Sequence, residues 1–449
     1  MNHNKIHSSP LPAFVSAIAF ICLLALNGNL FTVRAQSEAD LKRDRNRGIV
    51  MLRGIKDYLK ADYYDPTFHG VDIETRFKAS EEKINQATSL GQIFGIIAQT
   101  LVELNDSHTY FVPPPRPVKV DYGWRMQLIG DECYVVAVKP GSDAEAQGLK
   151  PGDKVLSVDG FRPNRQNLWK MEYSYNVLRP QPGKRVLIET PDGKQRELPL
   201  KAKVEKEPRQ VNITELENEF IKDIEDQKKL PVYASLGDDA IIWKLRRFHL
   251  SEGKVDDMMK LVRKHKALIL DLRGNPGGRV DILERLTGYF FDRPINIAEI
   301  KLRKKTEQSK AKPRGDKVFK GQLVVLVDSD SGSAAEVFAR IIQIEKRGTV
   351  IGDQTSGAVM MSTFRPGLLG DVSSGNMIIY GSSITLADLI MTDGKSLEHV
   401  GVTPDEKLLP TAADLAAKRD PVLSRAVSLV GLSLSAEKAG MMFPPELEK

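Results

Sequence analysis

The chain has 449 residues, of which 65 are basic and 59 acidic, so its formal net charge is +6. Hydrophobic residues make up 41% and charged residues 28%, a composition that excludes a disordered chain and a membrane transporter. The basic residues form no dense block, which excludes a nucleic-acid-binding surface of the usual kind. This length predicts about two to four domains.

The N-terminus has the pattern of an export signal. Lys5 precedes an apolar stretch over residues 11–26, and the small-residue pattern Val33-Arg34-Ala35 follows it. This pattern predicts a signal peptide over residues 1–35, cut after Ala35, and export to the periplasm or the cell exterior. A membrane anchor is the alternative, but the apolar run is short for a span of about 20 residues. We therefore expect no stable membrane span after cleavage.

The two cysteines give no disulfide, because Cys22 would leave with the signal peptide and only Cys133 would remain. Cys133 lies in an apolar strand pattern and is expected to be a buried small hydrophobe. No histidine or cysteine pair has metal-ligand spacing, so we expect no metal and no other cofactor.

Residues 38–112 are predicted to form a helical N-terminal domain. Leu52, Ile55 and Leu59 recur at helical spacing, as do Ile93 and Ile97. The three prolines at 113–115 cannot continue a helix, so they mark a domain boundary.

Residues 118–203 resemble a PDZ domain. An apolar strand pattern over residues 134–138 leads to Gly148-Leu149-Lys150-Pro151-Gly152-Asp153 and then to Val155-Leu156. The resemblance implies that a peptide adds as a strand to an exposed sheet edge, often with its C-terminal carboxylate held by backbone N–H groups. The corresponding loop is Gly123-Trp124-Arg125-Met126, in which Arg125 is a candidate partner for a carboxylate.

The rest of the chain is predicted to contain a charged linker at 204–230, an α/β catalytic domain at 231–430 and a C-terminal tail at 431–449. Apolar runs at 267–272 and 323–327, and a shorter one at 350–352, are typical of strands buried on both faces of a sheet.

Two glycine-containing loops follow the first two of these strands: residues 273–278 and residues 328–333. Loops at the carboxyl ends of such strands form the ligand crevice of an α/β sheet. Ser333 would stand at a strand-to-helix turn, where backbone N–H groups can stabilise an oxyanion. The alternative is purely structural, because Ser333-Ala334-Ala335-Glu336 is also a complete capping box.

The order of these motifs resembles the family of C-terminal-processing (tail-specific) serine peptidases. The resemblance covers nearly the whole chain after the signal, including Asp271 to Gly278, the Ser333 loop and Gly401-Val402-Thr403-Pro404-Asp405. It implies a multidomain α/β protein with a helical N-terminal domain, a PDZ domain and a catalytic core of the ClpP/crotonase-like type.

One position departs from the familiar members, which use a Ser-Lys dyad: Ala358 stands where the lysine is expected. The tricorn-like branch instead uses a histidine, a serine and a late glutamate. Here that resemblance implies His108 as the base, with Ser107 and Glu398 orienting it. Each of these three residues also has an interpretation in which its role is only structural. Within the sequence, His399 is the alternative to its neighbour Glu398, and Lys395 is the alternative to the missing lysine.

These observations predict an exported serine endopeptidase that hydrolyses polypeptides by acyl transfer. Ser333 would attack, and the N–H groups of Ala334 and of Gly277 or Gly278 would form the oxyanion hole. The substrates would be polypeptides, recruited through their C-termini by the PDZ module. The competing prediction is a catalytically inactive peptide-binding protein, which Ala358 favours.

Overall fold

The computed structural model describes residues 37–116, 118–206, 232–370 and 377–443. The predicted signal peptide lies outside the described residues, as do most of the predicted linker and the last six residues of the predicted tail. The chain divides into two compact units, residues 1–44 and 45–449. In the first unit, the described residues form the start of helix α1, where Asp40 N–H donates to Ser37 Oγ at 3.1 Å.

The helical N-terminal region contains three helices: α1 (Glu38–Asp62), α2 (Ile73–Gln86) and α3 (Leu90–Val102). Asp72 caps α2, accepting hydrogen bonds from the N–H groups of Glu74 and Thr75, and Ser89 caps α3. The side chains that the helical spacing selected are fully buried: Leu52, Ile55, Leu59, Ile93 and Ile97. The predicted helices are thus confirmed, and their apolar faces form one core.

The chain leaves this core as the short strand β1 (Tyr110–Val112). A separate antiparallel sheet follows, in the spatial order β3-β4-β5-β6-β7. Strand β3 forms one edge of this sheet, and β2 and β8 form a two-stranded ribbon. The elements of this part are β2 (Val118–Asp121), β3 (Trp124–Ile129), β4 (Glu132–Val138), α4 (Asp143–Ala146), β5 (Lys154–Val158), α5 (Leu168–Glu172), β6 (Gly183–Glu189), β7 (Gln195–Lys201) and β8 (Lys203–Lys206).

The remaining part contains a six-stranded sheet in the order β18-β15-β14-β11-β10-β9, parallel except at β9. Its helices cover both faces. The elements are β9 (Tyr233–Leu236), β10 (Ala240–Lys244), α6 (Glu252–Val262), β11 (Ala267–Asp271), α7 (Val280–Thr287), β12 (Ile295–Leu302), β13 (Thr306–Ala311), β14 (Gln322–Val327), α8 (Ala334–Ile344), β15 (Thr349–Gly352), β16 (Met360–Leu369), β17 (Ile378–Met391), β18 (Glu406–Lys407), α9 (Ala412–Ala416), α10 (Pro421–Leu429) and α11 (Ala436–Met442).

The three predicted buried strands correspond to β11, β14 and β15, which are neighbours in this sheet. Every residue of β11 is buried, as are five of the six residues of β14. Because both faces carry apolar residues, the sheet is covered on both sides. The fold is therefore a mixed α/β fold with a helical N-terminal region.

Strand β17 joins the helical region to the rest. It pairs antiparallel with β1, β12 and β16, and Tyr380 and Ile384 of β17 pack into the helical core. This pairing carries the residues just before β1 to the α/β part of the chain. None of the helices in the part of the chain that the structure describes has the length and apolar character needed to cross a bilayer.

Candidate active site

Ser333 occupies a strained turn between β14 and α8. Its backbone has φ +51° and ψ −118°, a combination that L-residues rarely adopt and that costs about 1–3 kcal/mol. A helix-capping serine ordinarily has extended backbone angles instead. Capping alone therefore does not account for this conformation, whereas exposing a hydroxyl at the top of a strand-to-helix turn does.

The carboxylate of Glu336 is hydrogen-bonded to the backbone of this turn. Glu336 is completely buried and accepts the N–H of Ser333 at 2.9 Å, which is the bond from the N-cap backbone to the Glu336 side chain in the predicted capping box. It also accepts the N–H groups of Gly357 and Ala358 at 2.8 and 3.0 Å and the hydroxyl of Thr355 at 2.5 Å. Burial raises the pKa of Glu336 to about 7, against these hydrogen bonds, which lower it.

The two glycines of the facing loop differ in what their N–H groups do. The N–H of Gly277 donates to the side chain of Asn275 at 2.8 Å. Within the described ranges, neither the N–H of Gly278 nor that of Ala334 has an acceptor. The Cα of Gly277 lies so close to the nucleophile turn that an added Cβ would be 2.6 Å from the Cβ of Ser333. Gly278 and Ala334 thus have backbone N–H groups without an acceptor among the described residues, and Gly277 is packed closely against the Ser333 turn.

A chain of hydrogen bonds joins the other three predicted residues. Ser107 Oγ donates to Glu398 Oε2 at 2.9 Å, and His108 Nδ1 lies 2.7 Å from Ser107 Oγ. Because an ionised carboxylate only accepts, the single hydroxyl proton goes to Glu398, and His108 Nδ1–H donates to Ser107. The other ring nitrogen, Nε2, is then the unprotonated one, which is the tautomer that a general base requires.

The two halves of the site meet at Ala358 and Val359. Ser333 N–H donates to the carbonyl of Ala358 at 3.0 Å, and Val359 N–H donates to Glu398 Oε2 at 2.8 Å. Among the described residues, no hydrogen bond joins Ser333 Oγ to His108 Nε2. Catalytic hydrogen bonds of this kind are often long without substrate and shorten when substrate binds.

Burial shifts the pKa values of His108 and Glu398 in this series of hydrogen bonds. It lowers the pKa of His108, while the nearby Asp106 carboxylate acts in the opposite direction. It raises the pKa of Glu398, against the hydrogen bonds from Val359 and Ser107. The imidazole is therefore neutral at pH 7 and able to accept a proton.

The alternative bases are placed elsewhere. Lys395 is exposed in the turn that closes with Met391 N–H donating to the Lys395 carbonyl at 2.8 Å. His399 is 53% exposed, and its Nε2 lies 2.9 Å from the carbonyl of Asn105. Among the described residues, no hydrogen bond orients the side chain of Lys395 or of His399 toward Ser333.

The loop predicted to bind peptide lies at the start of β3. Gly123 has φ +72°, and its N–H donates to Asp121 Oδ1 at 2.8 Å; Trp124, Arg125 and Met126 are the first residues of the strand. A cavity of about 340 Å³ lies beside Gly123 and includes Lys139, Lys201 and Lys203 in its lining.

Strand β3 also touches the loop before the nucleophile. Gln127 Nε2 donates to Asp328 Oδ2 at 2.8 Å, and Ser329 Oγ donates to the carbonyl of Leu128 at 2.6 Å. Arg125 Nη1 lies 3.9 Å from Asp330 Oδ2. The candidate peptide-binding edge and the nucleophile loop are thus in direct contact.

Asn275 and Asp106 were not predicted as site residues. Asn275 accepts the N–H of Gly277 in the loop 273–278, and Asp106 accepts the N–H of His108. Glu336 was predicted only as half of a capping box. Each lies within three residues of a predicted site residue, so inspection of polar neighbours was the one available signal. In the described part of the chain, no three His, Cys, Asp or Glu side chains gather closely enough to hold a metal ion.

A serine at a strained turn, a glycine loop packed against that turn and an imidazole hydrogen-bonded to Ser107 are features of a serine-type peptidase. Residues 242–408 match the model of the family described as Peptidase family S41. The chain therefore carries an S41 peptidase domain and is a serine-type peptidase.

Curated relatives agree with this family. The carboxy-terminal processing protease CtpA of Bacillus subtilis is 23% identical over 411 residues, which are 89% of this chain and 76% of that protein. The tail-specific protease of Haemophilus influenzae is 26% identical over 306 residues, 63% of this chain, and the match spans only 41% of that longer protein. Among solved structures, mature CPAF has a TM-score of 0.60 at 16% identity, covering 83% of this chain and 94% of that chain. At this identity, the last comparison shows a shared fold.

Proposed function

We propose that this protein is an exported serine endopeptidase that hydrolyses peptide bonds of polypeptides through an acyl-enzyme on Ser333. His108 is the general base, and Ser107 and Glu398 orient it. The observation that carries the proposal is the hydrogen-bonded chain Glu398–Ser107–His108, which meets the Ser333 turn at Ala358 and Val359. A helix cap and a solvated histidine would need no such chain.

The reaction follows from these positions. Ser333 Oγ attacks the scissile carbonyl carbon while His108 Nε2 takes the hydroxyl proton, and the N–H groups of Gly278 and Ala334 stabilise the oxyanion. The imidazolium then gives its proton to the leaving amine, the C–N bond breaks, and an ester on Ser333 remains. Water, deprotonated by the same imidazole, attacks the ester and releases the acid and free Ser333. Glu398 stabilises the imidazolium through the hydroxyl of Ser107.

Ala358 fits this proposal because an alanine at this position cannot act as the base that a lysine there would provide. Its carbonyl contacts the nucleophile turn, so the position is adjacent to the site, yet a methyl group accepts no proton. In a His-based mechanism the proton acceptor is His108, just before β1, which the Ser107–Glu398 bonds connect to the N–H of Val359.

We further propose that residues 118–203 act as a PDZ module that recruits the substrate. The edge position of β3 supports this proposal, because an extended peptide adds to such an edge. Lys139 and Lys203 beside Gly123 already pair with Asp121 and Glu205, so Lys201 is the lysine of this cavity that suits a terminal carboxylate. The relative named a carboxy-terminal processing protease suits a preference for C-termini. In this proposal the functional units are residues 38–112, 118–203 and 231–430, with 204–230 as the linker and 431–449 as the tail.

Export is part of the same proposal and rests on the composition of residues 1–35. Expression of the full chain in a bacterial host, followed by cell fractionation and N-terminal sequencing, tests it. The expected product is a chain that starts at Gln36 outside the cytoplasm. An uncleaved protein confined to the cytoplasm would contradict export and leave the catalytic proposal standing.

A fluorophosphonate probe tests the catalytic proposal. The purified protein should be labelled at Ser333 and should hydrolyse casein, and Ser333→Ala should lose both properties. Ser362→Ala is the matched control, because Ser362 is an exposed serine of β16, and it should behave as the wild type. Labelling that persists in Ser333→Ala would refute the assigned nucleophile, and a wild type with neither labelling nor hydrolysis would favour the inactive peptide-binding protein.

A further inference from the structure

Asp106 is a buried carboxylate two residues before His108, in the segment between α3 and β1. It is 5% exposed. Its Oδ1 accepts the N–H groups of His108 at 2.9 Å and of Thr109 at 2.7 Å, so it closes the turn that carries the imidazole.

The same carboxylate ties this turn to two other elements. Oδ1 also accepts the hydroxyl of Thr385 in β17 at 2.6 Å, and Oδ2 accepts the hydroxyl of Tyr63, just after α1, at 2.8 Å. Thr385 in turn accepts the hydroxyl of Thr109 at 2.9 Å. The backbone at His108 is thus attached both to Tyr63 of the helical region and to strand β17.

The charge of Asp106 is balanced only by these dipoles. Its carboxylate accepts four hydrogen bonds, and no ion pair among the described residues includes it. These four donors satisfy the buried carboxylate with dipoles and bring no opposite charge to it. A neighbouring imidazole therefore experiences a negative charge that favours its protonated form.

We propose that Asp106 is a positioning residue that fixes the orientation of His108 and stabilises its imidazolium during peptide-bond hydrolysis. This inference rests on the proposed function, in which His108 is the base. Two carboxylates then act on the imidazole: Glu398 through the hydroxyl of Ser107, and Asp106 through the backbone turn and its charge.

The effect on His108 is separable from that of its other neighbours. Burial lowers the pKa of His108 and Asp106 raises it. The other titratable groups around this turn are Glu398 and His399 from the segment after β17, and Tyr63 and Tyr64 from the end of α1. Removing the Asp106 charge should therefore lower the pKa of His108 further.

Asp106→Asn tests the proposal, because the amide oxygen still accepts the hydrogen bonds to the turn while the charge disappears. In kcat/KM against pH, the midpoint of the acidic limb should fall by about one pH unit, since the base stays unprotonated to lower pH. At the plateau, kcat should fall about tenfold with KM nearly constant, since imidazolium stabilisation is lost. An NMR titration of the His108 ring should show the same downward shift.

Tyr63→Phe is the matched control. It removes one hydrogen bond to Asp106 and some stability but leaves the charge in place, so it should not lower the midpoint. If Asp106→Asn folds normally and the midpoint is unchanged in both measurements, this assignment is wrong while the proposed function stands. If the wild type itself neither hydrolyses peptide nor reacts with the probe, the proposed function fails and this assignment fails with it.

Discussion

Ser333 N–H donates to the carbonyl of Ala358 at 3.0 Å, so the proposed nucleophile is hydrogen-bonded to the residue at which the family resemblance leads one to expect a lysine. The N–H of Ala358 donates to Glu336 at 3.0 Å, which fixes its backbone from the other side. The backbone of residue 358 is therefore fixed beside Ser333, while its methyl side chain accepts no proton. In the proposed mechanism His108 takes the proton instead.

His108→Ala should lower kcat for casein-type peptides by about 10²- to 10⁴-fold, the usual contribution of a general base. Lys395→Ala should retain most of the activity, because Lys395 is exposed in a turn. Steady-state kinetics of both variants provide the test. Full activity in His108→Ala would contradict the assigned base.

Ala358→Lys should restore part of the lost activity when combined with His108→Ala. The backbone of residue 358 is fixed beside Ser333, so an amine there is close to the nucleophile. The double variant should work best at alkaline pH, since a lysine has to lose its proton before it can act as a base. A double variant no more active than His108→Ala at any pH would refute this expectation.

Gly277→Ala should abolish probe labelling, because its Cβ would be 2.6 Å from the Cβ of Ser333 and 2.9 Å from the N of Ala334. Gly274→Ala is the matched control. Gly274 also has positive φ, +68°, but its Cβ would meet nothing within 4 Å, so only backbone strain of about 1 kcal/mol is added. Labelling rates and thermal unfolding distinguish the two: Gly274→Ala should be slightly destabilised and still labelled, whereas Gly277→Ala should be more strongly destabilised and inert.

Because of the titration of Glu336, the free energy of unfolding should fall as the pH rises from about 4.5 to about 7. Burial raises its pKa from the ordinary 4.5 to about 7 in the folded protein. Between these values the folded state holds a proton that the unfolded chain has released, so the free energy of unfolding falls with increasing pH.

Glu336→Gln cannot titrate, so its unfolding free energy should depend less steeply on pH in this window. Urea denaturation at pH 5, 6 and 7 measures the slope. Glu299→Gln, on an exposed position of β12, should keep the slope of the wild type. Equal slopes in wild type and Glu336→Gln would show that Glu336 does not titrate there.

The sequence was sufficient to predict the buried strands and the helical faces. Apolar runs such as residues 267–271 report burial on both faces, and the 3.6-residue period of α1 and α3 reports burial on one. The nucleophile turn could be located because its glycines and serine follow a strand. These signals are local in the sequence, so they can be interpreted without knowledge of the tertiary structure.

Other features depend on which distant residues meet. Asn275 Nδ2 donates to the carbonyl of Leu245, 30 positions away, and Asp106 accepts a hydrogen bond from the hydroxyl of Thr385, 279 positions away. No periodicity encodes such partners. The conformation of Ser333 was equally inaccessible, since the same four letters describe an ordinary helix cap.

The bond between Ser107 and Glu398 spans 291 positions of the chain. Contacts of this sequence separation form late in folding, because the long intervening loop has to be ordered first. A nascent or partly folded chain can thus contain Ser333 in its turn and still lack an oriented base. In the proposed mechanism, hydrolysis then depends on completion of this long-range contact, so peptidase activity reports complete folding.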